Sequence, residues 1–122
     1  MKLFIIIGSV FGLLAVAAGA FGAHGLEGKL STDMLDVWET AVRYQMFHAL
    51  ALFGAAWLFD QTGSGWATAA AALFVGGVLV FSGTLYALAL SGIKWLGAIT
   101  PIGGVALIAG WACCIVAALR LE

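Results

Sequence analysis

Charge is what this chain most lacks. Lys, Arg, Asp and Glu make up 9% of its 122 residues, against about a quarter in a typical soluble domain. Five basic and six acidic side chains cannot cover the surface of a water-soluble globule this small, because small domains leave much of their surface exposed. A soluble enzyme and a disordered chain are excluded on that ground. The net charge is −1 and no basic block exists to hold phosphate backbones, so no nucleic-acid partner is expected. Cysteine is as scarce: Cys113 and Cys114 are adjacent, which excludes a disulfide framework and leaves the redox compartment open. Proline occurs once, at Pro101. What fills the chain instead is apolar: 64% hydrophobic residues, a mean hydropathy of +1.13 and 17 glycines dispersed through apolar runs. The bilayer is its solvent.

The charges are Lys2, Glu27, Lys29, Asp33, Asp36, Glu39, Arg43, Asp60, Lys94, Arg120 and Glu122. Between them lie runs long enough to cross a bilayer, which takes roughly 20 apolar residues at 1.5 Å each. Lipid obliges the backbone to satisfy its own hydrogen bonds, and the runs lack a two-residue alternation, so helices are expected rather than barrel strands. The expected fold is an all-α membrane protein, one domain over 1–122 built as a bundle of four transmembrane helices. The helices fall at about 3–23, 38–59, 66–90 and 96–119. A short amphipathic segment, polar-capped at Ser31 and acidic at Asp33 and Asp36, lies between the first two. Lys2, an apolar run and Ala18-Gly19-Ala20 also fit a signal peptide; the reading adopted keeps this run as the first span.

Aromatic residues mark the limits. Trp57, Phe59 and Trp66 flank the turn Asp60-Gln61-Thr62-Gly63-Ser64-Gly65, and Trp38, Tyr44 and Trp95 mark the opposite boundary. Trp111 fits neither belt and is expected to pack inside. Orientation is weakly specified, since Lys2 and Arg120 on one side balance Lys29, Lys94 and Arg43 on the other.

Association of helices in lipid rests on close approach and polar contacts. Small residues recur at helical spacing at Gly8, Gly12, Ala15, Gly19 and Ala23 in the first run. They recur at Ala69, Ala72, Gly76, Gly83 and Ala87 in the third, and at Gly103, Ala106, Gly110, Cys114 and Ala117 in the fourth. Each stripe is expected to pack within the chain, with one left as the alternative contact of a homo-oligomer.

Topology gathers the polar residues. The first loop returns to the side it left, so His24, Tyr44, Gln45, His48, Ser82, Tyr86 and Thr100 fall in one half of the bilayer. Tyr44 and His48 are neighbours at i,i+4, and Gln45 is three residues from His48. An intramembrane His bridges helices, relays protons or ligates a metal. With no carboxylate or thiolate aligned beside the two histidines, a closed metal site is not expected, nor is any cofactor. Glu39 and Arg43 form an expected i,i+4 interfacial ion pair on the other face of that helix. Pro101, followed by Gly103 and Gly104, is expected to break the fourth span and loosen the carbonyl at Gly97.

These residues also carry a resemblance. The segments Ala18-Gly19-Ala20-Phe21-Gly22-Ala23-His24-Gly25-Leu26 and Trp38-Glu39-Thr40-Ala41-Val42-Arg43-Tyr44-Gln45-Met46-Phe47-His48-Ala49-Leu50 resemble two signatures of the domain of unknown function 423. Phe81-Ser82-Gly83-Thr84-Leu85-Tyr86 and Leu96-Gly97-Ala98-Ile99-Thr100-Pro101-Ile102-Gly103-Gly104 resemble two more. Bacterial members include the uncharacterised protein family 0382, and the pattern is similar to animal transmembrane protein 256. The resemblance implies a four-span protein of the bacterial inner membrane and brings with it no reaction, substrate or cofactor. Three functions remain in view. A non-enzymatic protein that organises the membrane or supports an assembly leads. An oligomeric carrier using the polar cluster beside the Pro-broken helix follows. A membrane enzyme or metal- or haem-binding subunit using His24 and His48 is the least supported.

Overall fold

The computed structural model describes residues 1–122 and is entirely helical. Four α-helices run in order: α1 Lys2–His24, α2 Thr32–Thr62, α3 Gly65–Ser91 and α4 Thr100–Ala118, with a 3-10 turn at Lys94–Ala98 before α4. Helices α1 and α3 and the stretch Lys94–Ala118 are long and apolar enough to cross a membrane. Helix α2 is the longest but less apolar, because Arg43, Tyr44, Gln45 and His48 fall inside it. By length and composition three of the four expected spans qualify as membrane crossings, and α2 does not.

Local chemistry sets the ends. Helix α2 starts at Thr32, six residues earlier than the span expected from Trp38, so the amphipathic segment is its first turns and not a separate element. The Ser31 hydroxyl accepts from the Met34 amide at 3.2 Å, and Asp33 sits in the first turn, where an acidic group faces the positive helix end. Thirty-one residues make a rod about 46 Å long, more than the roughly 30 Å of bilayer hydrocarbon. Gly63 stops the helix in the left-handed conformation, φ 62°, and Ser64 caps α3 by accepting from the Trp66 amide. Gly92, φ 71°, ends α3 the same way.

The fourth span is not one continuous α-helix. The chain from Lys94 to Ala98 is 3-10, and Pro101 stands in the first turn of α4, where its missing N–H would have had no helical partner anyway. The expected break inside a span is thus a helix start, with Pro101 exposed and Gly103 and Gly104 continuing the helix.

Neighbours in sequence are neighbours in space: α1 packs on α2, α2 on α3 and α3 on α4, while α1–α3 and α2–α4 only brush past each other. Phe74, Leu52, Ala49, Ala55, Ala70 and Ala71 fill the centre. Glycine permits the tight crossings, since dispersion at short range replaces the missing hydrophobic drive in lipid. A Cβ at Gly103 would strike the backbone nitrogen of Phe81 and stand 2.9 Å from the Gly77 carbonyl oxygen. One at Gly8 would come within 3.1 Å of the Ala49 carbonyl oxygen.

The small-residue stripes divide. In α1, Gly8, Gly12 and Gly19 all face α2 and Ala15 is buried, with Gly22 taking the place expected of exposed Ala23. In α4, Gly103, Gly110 and Ala117 are buried and a Cβ at either glycine would meet α3. The α3 stripe is a correction. Its buried face is Ala67, Ala70, Ala71, Phe74, Gly77 and Val78, whereas Ala72, Gly76, Gly83 and Ala87 point outward. A one-residue offset turns a helix face by about 100°, and Phe74 and Val78 fix which of two adjacent small stripes goes in.

Candidate functional site

Because consecutive helices pack in a zigzag, each outer pair leaves a groove floored by the helix between. One groove lies between α1 and α3 over α2. The other lies between α2 and α4 over α3. The polar residues expected as one cluster are shared between these two grooves.

In the α1/α3 groove the central residue is Gln45, only 5% exposed. Its amide Nε2–H donates to the Phe11 carbonyl at 2.8 Å, and its Oε1 accepts from the Tyr86 hydroxyl at 2.7 Å, so one side chain ties α2 to α1 and α3. The Tyr86 ring meets the Trp38 ring edge-on at 4.7 Å, and Trp38 Nε1–H donates to the Ala18 carbonyl at 2.9 Å. One turn from Gln45 on α2, the Ser82 hydroxyl donates to the Ala41 carbonyl at 2.7 Å, an α3-to-α2 bond. Two neighbouring cavities, about 370 and 160 Å³, share Leu14, Gln45 and Tyr86 in their linings. Their remaining walls are almost wholly apolar, with Ala18, Phe21 and Trp38 towards one end and Phe11, Val78 and Leu79 towards the other.

In the α2/α4 groove the central residue is His48, also 5% exposed. Its Nε2 receives the Trp111 indole N–H at 3.1 Å, and its Nδ1 lies 2.6 Å from the Tyr44 carbonyl oxygen. An indole nitrogen only donates and a carbonyl only accepts. His48 is therefore the neutral tautomer with its proton on Nδ1, and both ring nitrogens are engaged. Tyr44 stacks on Phe81 at 4.3 Å, and Phe74 packs against both His48 and Trp111. The cavity here is about 270 Å³ and lined by Tyr44, His48, Phe81, Leu107, Ile108 and Trp111, with Gly104 beside them.

Several expected members lie elsewhere. His24 ends α1 exposed, with no partner in either groove. Thr100 is buried at the start of α4, where its hydroxyl shares a 2.7 Å bond with that of Thr84, bracing α4 against α3 apart from both grooves. Glu39 and Arg43 are both exposed and form no ion pair. Two long side chains lose rotamer freedom to make an exposed contact worth little, so the correction costs the fold nothing. Trp111, expected inside, is 48% exposed: its ring edges towards lipid while its N–H turns inward. Trp38, Thr84 and Trp111 are the participants that sequence reasoning did not assign. The signal was available for Trp111, since an indole N–H at mid-span needs an acceptor and His48 offers one.

Every buried side-chain nitrogen and oxygen has a hydrogen-bond partner. No three His, Cys, Asp or Glu side chains converge. The arrangement is a set of neutral interhelical bonds flanking two apolar grooves.

Residues 18–104 match the family described as protein of unknown function, DUF423. The chain is 53% identical over 121 residues to the UPF0382 membrane protein YwdK of Bacillus subtilis, covering 98% of each. It is 51% identical over 120 residues to the UPF0382 membrane protein SH2409 of Staphylococcus haemolyticus, again covering 98% of each. No solved structure matches it. With its polar residues, its apolar spans and these relatives in agreement, the chain belongs to the DUF423 family and is a multi-pass bacterial membrane protein.

Proposed function

We propose that this protein crosses the membrane four times and serves a non-enzymatic role, supporting a larger membrane assembly. The observation that carries the role is the outer face of α3, where Ala72, Gly76, Gly83 and Ala87 lie exposed. A Cβ at Gly76 or Gly83 meets nothing within 4 Å. Small residues four apart let a second helix approach closely in lipid, and no helix of this chain covers that face, which at Gly83 borders the α1/α3 groove. The fourth crossing rests on α2. Its polar residues Gln45 and His48 turn inward and are bonded, while Phe47, Leu50, Phe53 and Trp57 face outward. A polar side chain satisfied within the bundle does not bar a helix from lipid.

The carrier alternative finds less support, since the polar groups already bond to one another and Pro101 starts a helix. The test uses single cysteines in a Cys113→Ala, Cys114→Ala background, joined by a short bis-maleimide in native membranes. Gly76→Cys should yield a cross-linked product and lipid-facing Ile108→Cys should not; monomer alone from both contradicts the role. Lys29→Cys and Gln61→Cys should react with an impermeant maleimide from opposite faces of the membrane. Labelling from one face refutes the fourth crossing.

A further inference from the structure

Two charges lie on a face that the fold leaves bare. Glu39 and Arg43 are exposed on the side of α2 away from Gln45, since the two residues from Arg43 to Gln45 turn the helix by about 200°. Neither has a charged partner within the chain. The same face continues at spacings of three and four through Phe47, Leu50, Gly54 and Trp57, all exposed.

Helix α1 gives the depth of the charges. Gly19 faces Val42 and Gly22 faces Trp38, so Arg43 stands level with Ala18 and Glu39 with Phe21. Ala18 lies about 9 Å inside the His24 end of α1, a helix whose 23 residues match the thickness of the hydrocarbon layer. Side chains tilt towards the helix N-terminus, which carries the Arg43 guanidinium up to the level of Glu39, still inside the end of α1. Ionised groups facing hydrocarbon are costly and pair with one another in membrane proteins. Within one chain these two do not meet.

The face itself selects the partner. Its charges are opposite in sign and one turn apart. A second α2 laid alongside in the same direction sets Glu39 of one copy against Arg43 of the other, twice. Copies inserted alike in the membrane are parallel and related by a two-fold axis, and a two-fold interface is self-complementary. An acidic helix of another protein would satisfy Arg43 and strand Glu39. Deeper along the same face is Gly54, where an added Cβ would meet nothing within 4 Å, so two backbones can close in there.

We propose that the outer face of α2 is the contact of a symmetric dimer of this chain, held by two reciprocal Glu39–Arg43 pairs within the bilayer. This contact rests on α2 crossing the membrane, as read above, and the cysteine labelling tests that crossing separately. It is independent of the α3 face, because in a zigzag the outward sides of α2 and α3 point to opposite sides of the bundle. Protomers separated in detergent lack the pairs, so their unfolding does not register them.

The experiment is energy transfer between donor- and acceptor-labelled full chains in phosphatidylethanolamine–phosphatidylglycerol vesicles, diluted with lipid. Labels are attached through Glu122→Cys in the Cys113→Ala, Cys114→Ala background. Wild-type charges should give transfer that saturates and falls on dilution as a dimer dissociates. Arg43→Glu or Glu39→Arg alone should weaken pairing by about tenfold. Both reversals in one chain restore opposite charges and should recover wild-type pairing to within about threefold. Mixing the two single variants should favour the mixed pair over either like pair, which loss of folding cannot produce. Arg43→Ala, which adds no charge to the membrane, should weaken pairing by about fivefold. Wild-type transfer at the level of random proximity overturns the proposal, as does undiminished pairing in Arg43→Ala. A double reversal no better than the singles, with no preference for the mixed pair, also overturns it. Gly76→Leu should leave pairing unchanged; its loss there would assign the contact to α3 instead.

Discussion

The two grooves are built on one helix, three residues apart, and they differ in what their polar centres have left to offer. Gln45 joins three helices and keeps a donor free; His48 joins α2 to α4 and has none. Around Gln45 the larger cavity, about 370 Å³, is walled by Leu14, Ala17, Ala18, Phe21 and Trp38, whereas around His48 aromatic rings pack against one another beside a cavity of about 270 Å³. The difference teaches that intramembrane polarity is no guide to function until its hydrogen bonds are counted. A histidine in a membrane draws attention first, yet here it is the one whose bonding is complete. The glutamine has chemistry to spare.

The comparison can be broken from the packing side. Gly103→Leu puts a side chain into the Phe81 backbone and the Gly77 carbonyl, and should destabilise the bundle by about 3 kcal/mol or more. In a spectrum of 15N-labelled tryptophan, the Trp111 indole should shift strongly and the Trp38 indole little, because only the α2/α4 groove depends on that crossing. His48→Phe should cost about 2 kcal/mol in detergent unfolding, mainly from the Trp111 N–H left without an acceptor. It should again move the Trp111 signal alone. Gln45→Leu should cost about 1 kcal/mol and reverse the pattern, disturbing Trp38 through its contact with Tyr86. At the small end, Glu39→Gln should change stability by less than about 0.5 kcal/mol, as an exposed residue outside both grooves. A larger loss in the same unfolding measurement would restore the ion pair with Arg43.

Much of this is legible in the sequence. Charge placement located α1 and α3 to within a residue or two, and i,i+4 spacing put Tyr44 beside His48. What the chain did not disclose was rotation about each helix axis. Gln45 and His48 are both buried yet serve different grooves, because the side facing α1 and the side facing α4 are set by which helices flank α2. The α3 stripes differ by one residue in register, and only the volumes of Phe74 and Val78 decide between them. The start of α2 was misplaced because a charged first turn reads as loop under a hydropathy rule, although Ser31 supplies its cap. His24 was assigned to the cluster by depth alone, and depth does not bring an exposed helix end into a groove.

The separation of the two polar centres is tested most directly by a double-mutant cycle. Unfolding free energies of Gln45→Leu, His48→Phe and the double variant are compared in one lipid–detergent mixture. Side chains without a shared partner should add to within about 0.5 kcal/mol, whereas Gln45→Leu with Tyr86→Phe should show a distinct coupling, since that pair shares a bond. Additivity of the first pair is the result expected for two independent grooves. A coupling of about 1 kcal/mol or more between Gln45 and His48 would mean one shared polar cluster, and would contradict this account.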